Sequence, residues 1–263
     1  MSLPGNAGPY LRKIFEGARW ARDGRGGFRP SRATEMEDTL RFYDQQGRFE
    51  PRLPRLRGNY REFLAELAEA RAGRFLRDQG FQVLEWEPPS TTGFPGDILV
   101  QLGESSPIFT EVKAPDWEGE LSPEEQIGGR KQLGKFLHAE GRAVGLAQVP
   151  LRVIKDNALK KFTPDRPNLA VVVDNLFASP AEARGVIEWQ IDEFFQKPET
   201  QCVGGILFLL IECPAGRAVR YVSNFYDNPA AISNCKIPEV AVKVLTERAE
   251  RDADIMEHEW AAG

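Results

Sequence analysis

The chain has 263 residues, 41% hydrophobic and 28% charged, proportions that suit one large α/β domain with additions or two modest domains. No apolar run approaches the roughly 20 residues of a membrane-spanning helix, and residues 1–17 lack the apolar stretch of a secretory signal, so a soluble cytoplasmic protein without a membrane partner is expected. Three cysteines without CxxC spacing (Cys202, Cys213, Cys235) and only two histidines (His138, His258) argue against a disulfide framework and against a zinc centre rich in either residue. Any metal is expected on carboxylates, which favours Mg2+ or Mn2+.

Residues 1–57 are rich in Arg, Gly and Pro with scattered aromatics, and read as a basic, partly irregular extension without a core of its own; Glu35–Gln45 is a short helix candidate. The first sixty residues hold 12 Lys and Arg against 7 Asp and Glu, which leaves the rest of the chain at −10. Such a basic segment suits phosphate contacts, or equally a solvated or docking arm. From Tyr60 to Gln79 the apolar residues recur at helical spacing, with Asn59 placed to cap the start and Gly80 the end. Glu69 borders the apolar face of this helix, while Glu62 and Glu66 are expected to be more exposed.

Three short strands are predicted next, at 81–86, 97–102 and 107–113, with Gly103–Ser106 as a hairpin turn between the last two. Helices are predicted over 124–140 and 151–162. A buried strand follows at 168–174, then a helix over 180–196. A strand pair at 204–212 and 218–223 and a charged helix over 239–260 complete the reading. The expected organisation is an extension over 1–57, a core over 58–230 and a helical tail over 231–263.

The chemistry concentrates where two strands meet. Side chains alternate faces along a strand, so Glu111 and Lys113 share a face, and Asp97 opens the neighbouring strand. Two carboxylates and an ammonium thereby converge. Two carboxylates can hold a divalent cation for phosphodiester hydrolysis, and a lysine can steady the attacking oxygen or the charge that develops on phosphorus. Each residue also has a simpler explanation. Glu111 and Lys113 could form a cross-strand ion pair, Asp97 could be a turn residue after Gly96, and Glu69 could be a surface charge on a helix.

Gly96-Asp97, thirteen intervening residues and Glu111-Val112-Lys113 resemble the motif of the PD-(D/E)XK nucleases in its G-D…E-x-K form. The preceding stretch, Glu69 through Gly80-Phe-Gln-Val, is similar to the first helix and strand of their Holliday-junction-resolvase-like and restriction-endonuclease-like members. The resemblance covers residues 60–113, and by element order it extends to 212. It implies a restriction-endonuclease-like mixed central sheet flanked by helices, with the N-terminal extension added. It also implies a Mg2+- or Mn2+-dependent nuclease acting on nucleic acid, DNA above all, in which Asp97, Glu111, the Val112 carbonyl and Glu69 surround the metal and Lys113 acts on the nucleophile. Gln132, with Phe136 in place of the family's Tyr, resembles an accessory motif, and Gln126 is an alternative. A catalytically inactive nucleic-acid-binding or interaction module of the same fold is the rival expectation. The acidic core leaves room for a homodimer or a partner subunit.

Overall fold

In the computed structural model, residues 7–18, 30–114, 148–174, 180–212 and 219–261 are described. The expected helix over 124–140, with Gln126, Gln132 and His138, lies outside them, as does Cys213. The chain runs through α1 (Pro9–Gly17), α2 (Pro30–Gln45), α3 (Phe49–Leu56), α4 (Tyr60–Asp78), β1 (Gln82–Trp86), β2 (Ile98–Gln101) and β3 (Ile108–Lys113). It continues through α5 (Gln148–Val153), a π-helical turn (Ile154–Ala158), β4 (Asn168–Asp174), α6 (Pro180–Phe195), β5 (Gly205–Glu212), β6 (Arg220–Asp227) and α7 (Glu239–Ala261).

The six strands form one mixed sheet in sequence order. β2 runs antiparallel to both of its neighbours, β1 and β3. The tight turn between β2 and β3, with Gly103 at φ +58°, requires that direction. A long connection returns the chain to β4, which runs parallel to β3, and β5 runs parallel to β4. β6 closes the far edge antiparallel to β5 and extends to Asp227, beyond the end predicted at 223. β4 and β5 carry the apolar runs Leu169–Val173 and Ile206–Ile211, the pattern of strands covered on both faces.

Each face has its own core. On one, Ala68, Ala72, Phe75 and Leu76 of α4 and Ala241 and Leu245 of α7 pack on Ile98, Val100, Ile108, Val112, Val171 and Leu209. On the other, Leu151, Ile154, Ala158, Phe162 and Ile191 pack on Phe109, Ala170, Val172, Ile206 and Phe208. Helices on both sides of a mixed sheet give an α/β architecture.

α4 begins on a reciprocal capping box. Asn59 Oδ1 accepts from Glu62 N at 2.9 Å, and Glu62 Oε2 accepts from Asn59 N at 3.0 Å, an arrangement that contributes about 1 kcal/mol. The single helix predicted over 151–162 is instead a short α5 that passes into the π-helical turn. Asp156 and Asn157 favour local backbone alternatives to the α-helix, while Ile154, Ala158 and Phe162 keep the segment on the sheet.

The N-terminal extension, expected to have no core of its own, packs its helices onto α4. α1, α2 and α3 bury Leu11, Ile14, Met36, Leu40, Phe49, Leu53 and Leu56 against Phe63 and Leu67 of α4, so the core they form is shared with that helix. Glu37 of α2 accepts from Tyr10 N at 2.8 Å and Leu11 N at 3.0 Å, which satisfies donors left open at the start of α1.

Candidate functional site

β3 carries the site. Phe109 lies in the core on the α5–α6 side, and Ile108 and Val112 lie in the core on the α4–α7 side. The alternation predicted from sequence therefore holds, and it sends Glu111 and Lys113 to the α5–α6 side with Phe109. Asp97 stands one residue before β2. Its backbone joins the sheet through Asp97 N to Thr110 O at 3.2 Å and Glu87 N to Asp97 O at 3.0 Å. Gly96 is required there, because the Phe109 ring occupies the space a Cβ would need. Asp97 Oδ2 accepts from Val112 N at 2.7 Å, which fixes the carboxylate against the third strand.

Lys113 Nζ lies 2.8 Å from Glu111 Oε2, 3.7 Å from Asp97 Oδ2 and 3.1 Å from the Val112 carbonyl. A second lysine, which the sequence reading did not single out, enters from the end of the α5 segment. Lys161 Nζ lies 3.3 Å from Asp97 Oδ1 and 3.0 Å from Glu111 Oε2. These two oxygens are therefore closer together than the sum of those distances, inside the limit of about 8 Å beyond which two carboxylates cannot share a metal with ligand distances near 2 Å. Asp97, Glu111, Lys113 and Lys161 thus form one cluster of two negative and two positive groups.

Glu111 is fully buried, and its Oε1 has no hydrogen-bond partner among the described residues. Burial, with repulsion from Asp97, pushes its carboxyl up to about 7 against the pull of the two lysines. Burial works against the Lys161 ammonium, but Asp97 and Glu111 outweigh it and hold this lysine's pKa above the ordinary range.

One glutamate of α4 departs from the sequence expectation. Glu66 is fully buried rather than exposed. It lies 2.8 Å from Arg55 Nη1 and accepts from Tyr43 OH at 3.0 Å. Glu69 is partly exposed at its surface. Burial of its carboxyl and the nearby charges of Asp97 and Glu66 raise its pKa well above the ordinary range. It is near enough to feel Asp97, yet among the described residues no three His, Cys, Asp or Glu side chains converge closely enough to hold a metal. α4 itself packs on the α7 side of the sheet through Ala68, Ala72, Phe75 and Leu76.

The remaining donors suit a hard divalent cation. They are oxygen atoms only, from Asp97, Glu111 and the Val112 carbonyl, and they include the buried, unpartnered Oε1 of Glu111. Water or a substrate oxygen would complete such a shell. Comparison with family models, with curated proteins and with solved structures gave no match for this chain. Among the described residues no helix is long and apolar enough to cross a membrane.

Proposed function

We propose that this chain is a divalent-metal-dependent nuclease of PD-(D/E)XK type that hydrolyses phosphodiester bonds in nucleic acid, with DNA as the preferred substrate class. The observation that carries the reading is the meeting of Asp97, Glu111 and Lys113 at one end of β3, with the Asp97 carboxylate held by the backbone of Val112. The order of helix, strand, Gly-Asp strand, hairpin and Glu-x-Lys strand supports it, as does the mixed sheet with helices on both faces.

In this reading Asp97, Glu111 and the Val112 carbonyl hold Mg2+ or Mn2+. When bound, the ion polarises a phosphoryl oxygen and makes water a better nucleophile. Asp97 is fixed before substrate arrives, because Val112 N already occupies one of its oxygens. Lys113 stands beside Glu111 and orients the attacking water while offsetting charge that grows on the phosphoryl oxygens. Glu69 adds negative potential from the side of α4 and supports water around the ion. The rival reading, an inactive nucleic-acid-binding module, draws on the charge balance of the cluster, in which two lysines already neutralise two carboxylates.

The test incubates the full chain with plasmid and single-stranded DNA in Mg2+ or Mn2+, with EDTA controls. Cleavage is expected for the wild type, with a loss of about a hundredfold or more in Asp97→Asn and Lys113→Met. Wild-type rates in both variants would overturn the assignment. Binding of DNA without metal and without cleavage would favour the inactive module.

A further inference from the structure

Lys161 lies outside the Gly-Asp…Glu-x-Lys motif, yet it touches both carboxylates of the cluster. Its backbone is fixed from several directions. Leu159 N bonds to Ile154 O at 3.1 Å across the π-helical turn, and Lys161 N bonds to Ala158 O at 2.9 Å. The Lys161 carbonyl accepts from Ser90 Oγ at 3.0 Å, and Ser90 belongs to the loop that leads into Asp97. The next residue, Phe162, is buried with its ring edge-on to Phe109 at 6.3 Å between centroids. A π-helical turn is an uncommon element that recurs at functional sites, and here its register delivers this lysine to the cluster.

The side chain spans from that fixed backbone to the gap between Asp97 Oδ1 and Glu111 Oε2, where its ammonium bridges one oxygen of each. A divalent cation shared by these carboxylates needs oxygens at about 2.0–2.6 Å, and an ammonium at 3.0 and 3.3 Å from the same two atoms occupies that place. Two cations cannot share it in a partly buried site without strong repulsion. Lys161 has a route out, since its side chain is 24% exposed and a four-carbon stem can turn to solvent without moving the backbone. Lys113 is 14% exposed and bonded also to the Val112 carbonyl.

We propose that Lys161 is an internal counter-cation, which closes the Asp97–Glu111 pair in the metal-free protein and competes with the divalent ion for its seat. The proposal rests on the metal-site reading of Asp97 and Glu111. Its consequence is an inversion of the usual rule for a residue in a metal site: removing Lys161 strengthens metal binding.

The test titrates Mn2+ into the full-length wild type, Lys161→Met, Lys161→Arg and Asp97→Asn, following free Mn2+ by electron paramagnetic resonance. Circular dichroism melts check folding, and Lys161→Gln serves as the second neutral variant. The neutral variants are expected to bind Mn2+ about tenfold more tightly than wild type, Lys161→Arg to stay near wild type, and Asp97→Asn to lose binding. Binding that appears only in the neutral variants and vanishes on adding Asp97→Asn is the strongest form of the expected result. Equal or weaker Mn2+ affinity in the neutral variants, with binding still sensitive to Asp97→Asn, would overturn the counter-cation role and leave the metal site standing. No binding sensitive to Asp97→Asn in any variant would overturn both.

Discussion

Glu111 is the residue on which burial and charge act most directly. Its folded carboxyl titrates near 7, against an ordinary value of 4.5, because burial and Asp97 disfavour its ionised form. A carboxyl raised on folding stabilises the protein while protonated. That contribution is full below about pH 4.5 and is lost as pH rises through 7. Glu69, also raised, acts in the same direction. Glu35 acts in the opposite one: burial opposes its charge, but Arg71, together with hydrogen bonds from Tyr221 and Thr39, outweighs burial and holds its carboxyl below the ordinary value. Its contribution is therefore present above the ordinary value and lost in acid. Metal-free wild type is expected to lose melting temperature between pH 5 and 8, and Glu111→Gln to flatten that decline. Thermal melts in EDTA across this range check it, and identical slopes for the two proteins would remove Glu111 as the cause. Asp97, Glu111 and Lys113 were legible in the sequence because strand alternation fixes their faces. Lys161 was not, since no spacing rule relates the end of a π-helical turn to a strand it meets only through packing. Glu66 was misjudged for a related reason. Helical periodicity shows one apolar stripe, but not the helices that cover the other side of α4.

At the scale of elements, α4 is buried on two sides. Ala68, Ala72, Phe75 and Leu76 face the sheet, while Phe63 and Leu67 face the N-terminal helices. Arg71, only 1% exposed, forms an ion pair with Glu35 of α2 at 2.5 Å. Glu35 Oε1 also accepts from Thr39 Oγ1 at 2.9 Å and from Tyr221 OH of β6. One carboxylate thus ties α2 to α4 and to the sheet. Breaking a buried pair from one side leaves a charge without its partner, which costs about 3–5 kcal/mol. Arg71→Met is expected to fall in that range in denaturant unfolding. The double variant Arg71→Met/Glu35→Met should recover much of the loss, because no buried charge remains. A double variant no more stable than Arg71→Met would place the role of the pair in packing rather than charge. The sequence showed the strands and α4 clearly through their periodicity. It could not show this tie, because Glu35, Arg71 and Tyr221 are far apart in the chain and no local pattern connects them.

Across the whole molecule, the charge asymmetry of the sequence acquires a structural use. The basic surplus of the first sixty residues suited either phosphate contacts or a docking segment, and several of those arginines are engaged within the protein. Arg48 Nη2 lies 2.7 Å from Glu87 Oε2, Arg52 pairs with Glu87 as well, and Arg55 Nη1 lies 2.8 Å from Glu66 Oε1. Glu66 and Glu87 belong to the acidic remainder of the chain, so these basic residues fasten the N-terminal helices to the sheet domain. Glu87 is held at φ +57° where β1 gives way to the loop that ends at Asp97, which links this fastening to one wall of the candidate site. Removing residues 1–57 would uncover Phe63 and Leu67 and strip Glu66 and Arg71 of the partners that make their burial tolerable. The truncated chain is therefore expected to aggregate or to lose its cooperative unfolding transition, as judged by size-exclusion chromatography and thermal melts. A truncated chain that stays monomeric and melts like the full protein would show instead that the N-terminal helices are an appendage, and would free their arginines for a role in binding nucleic acid.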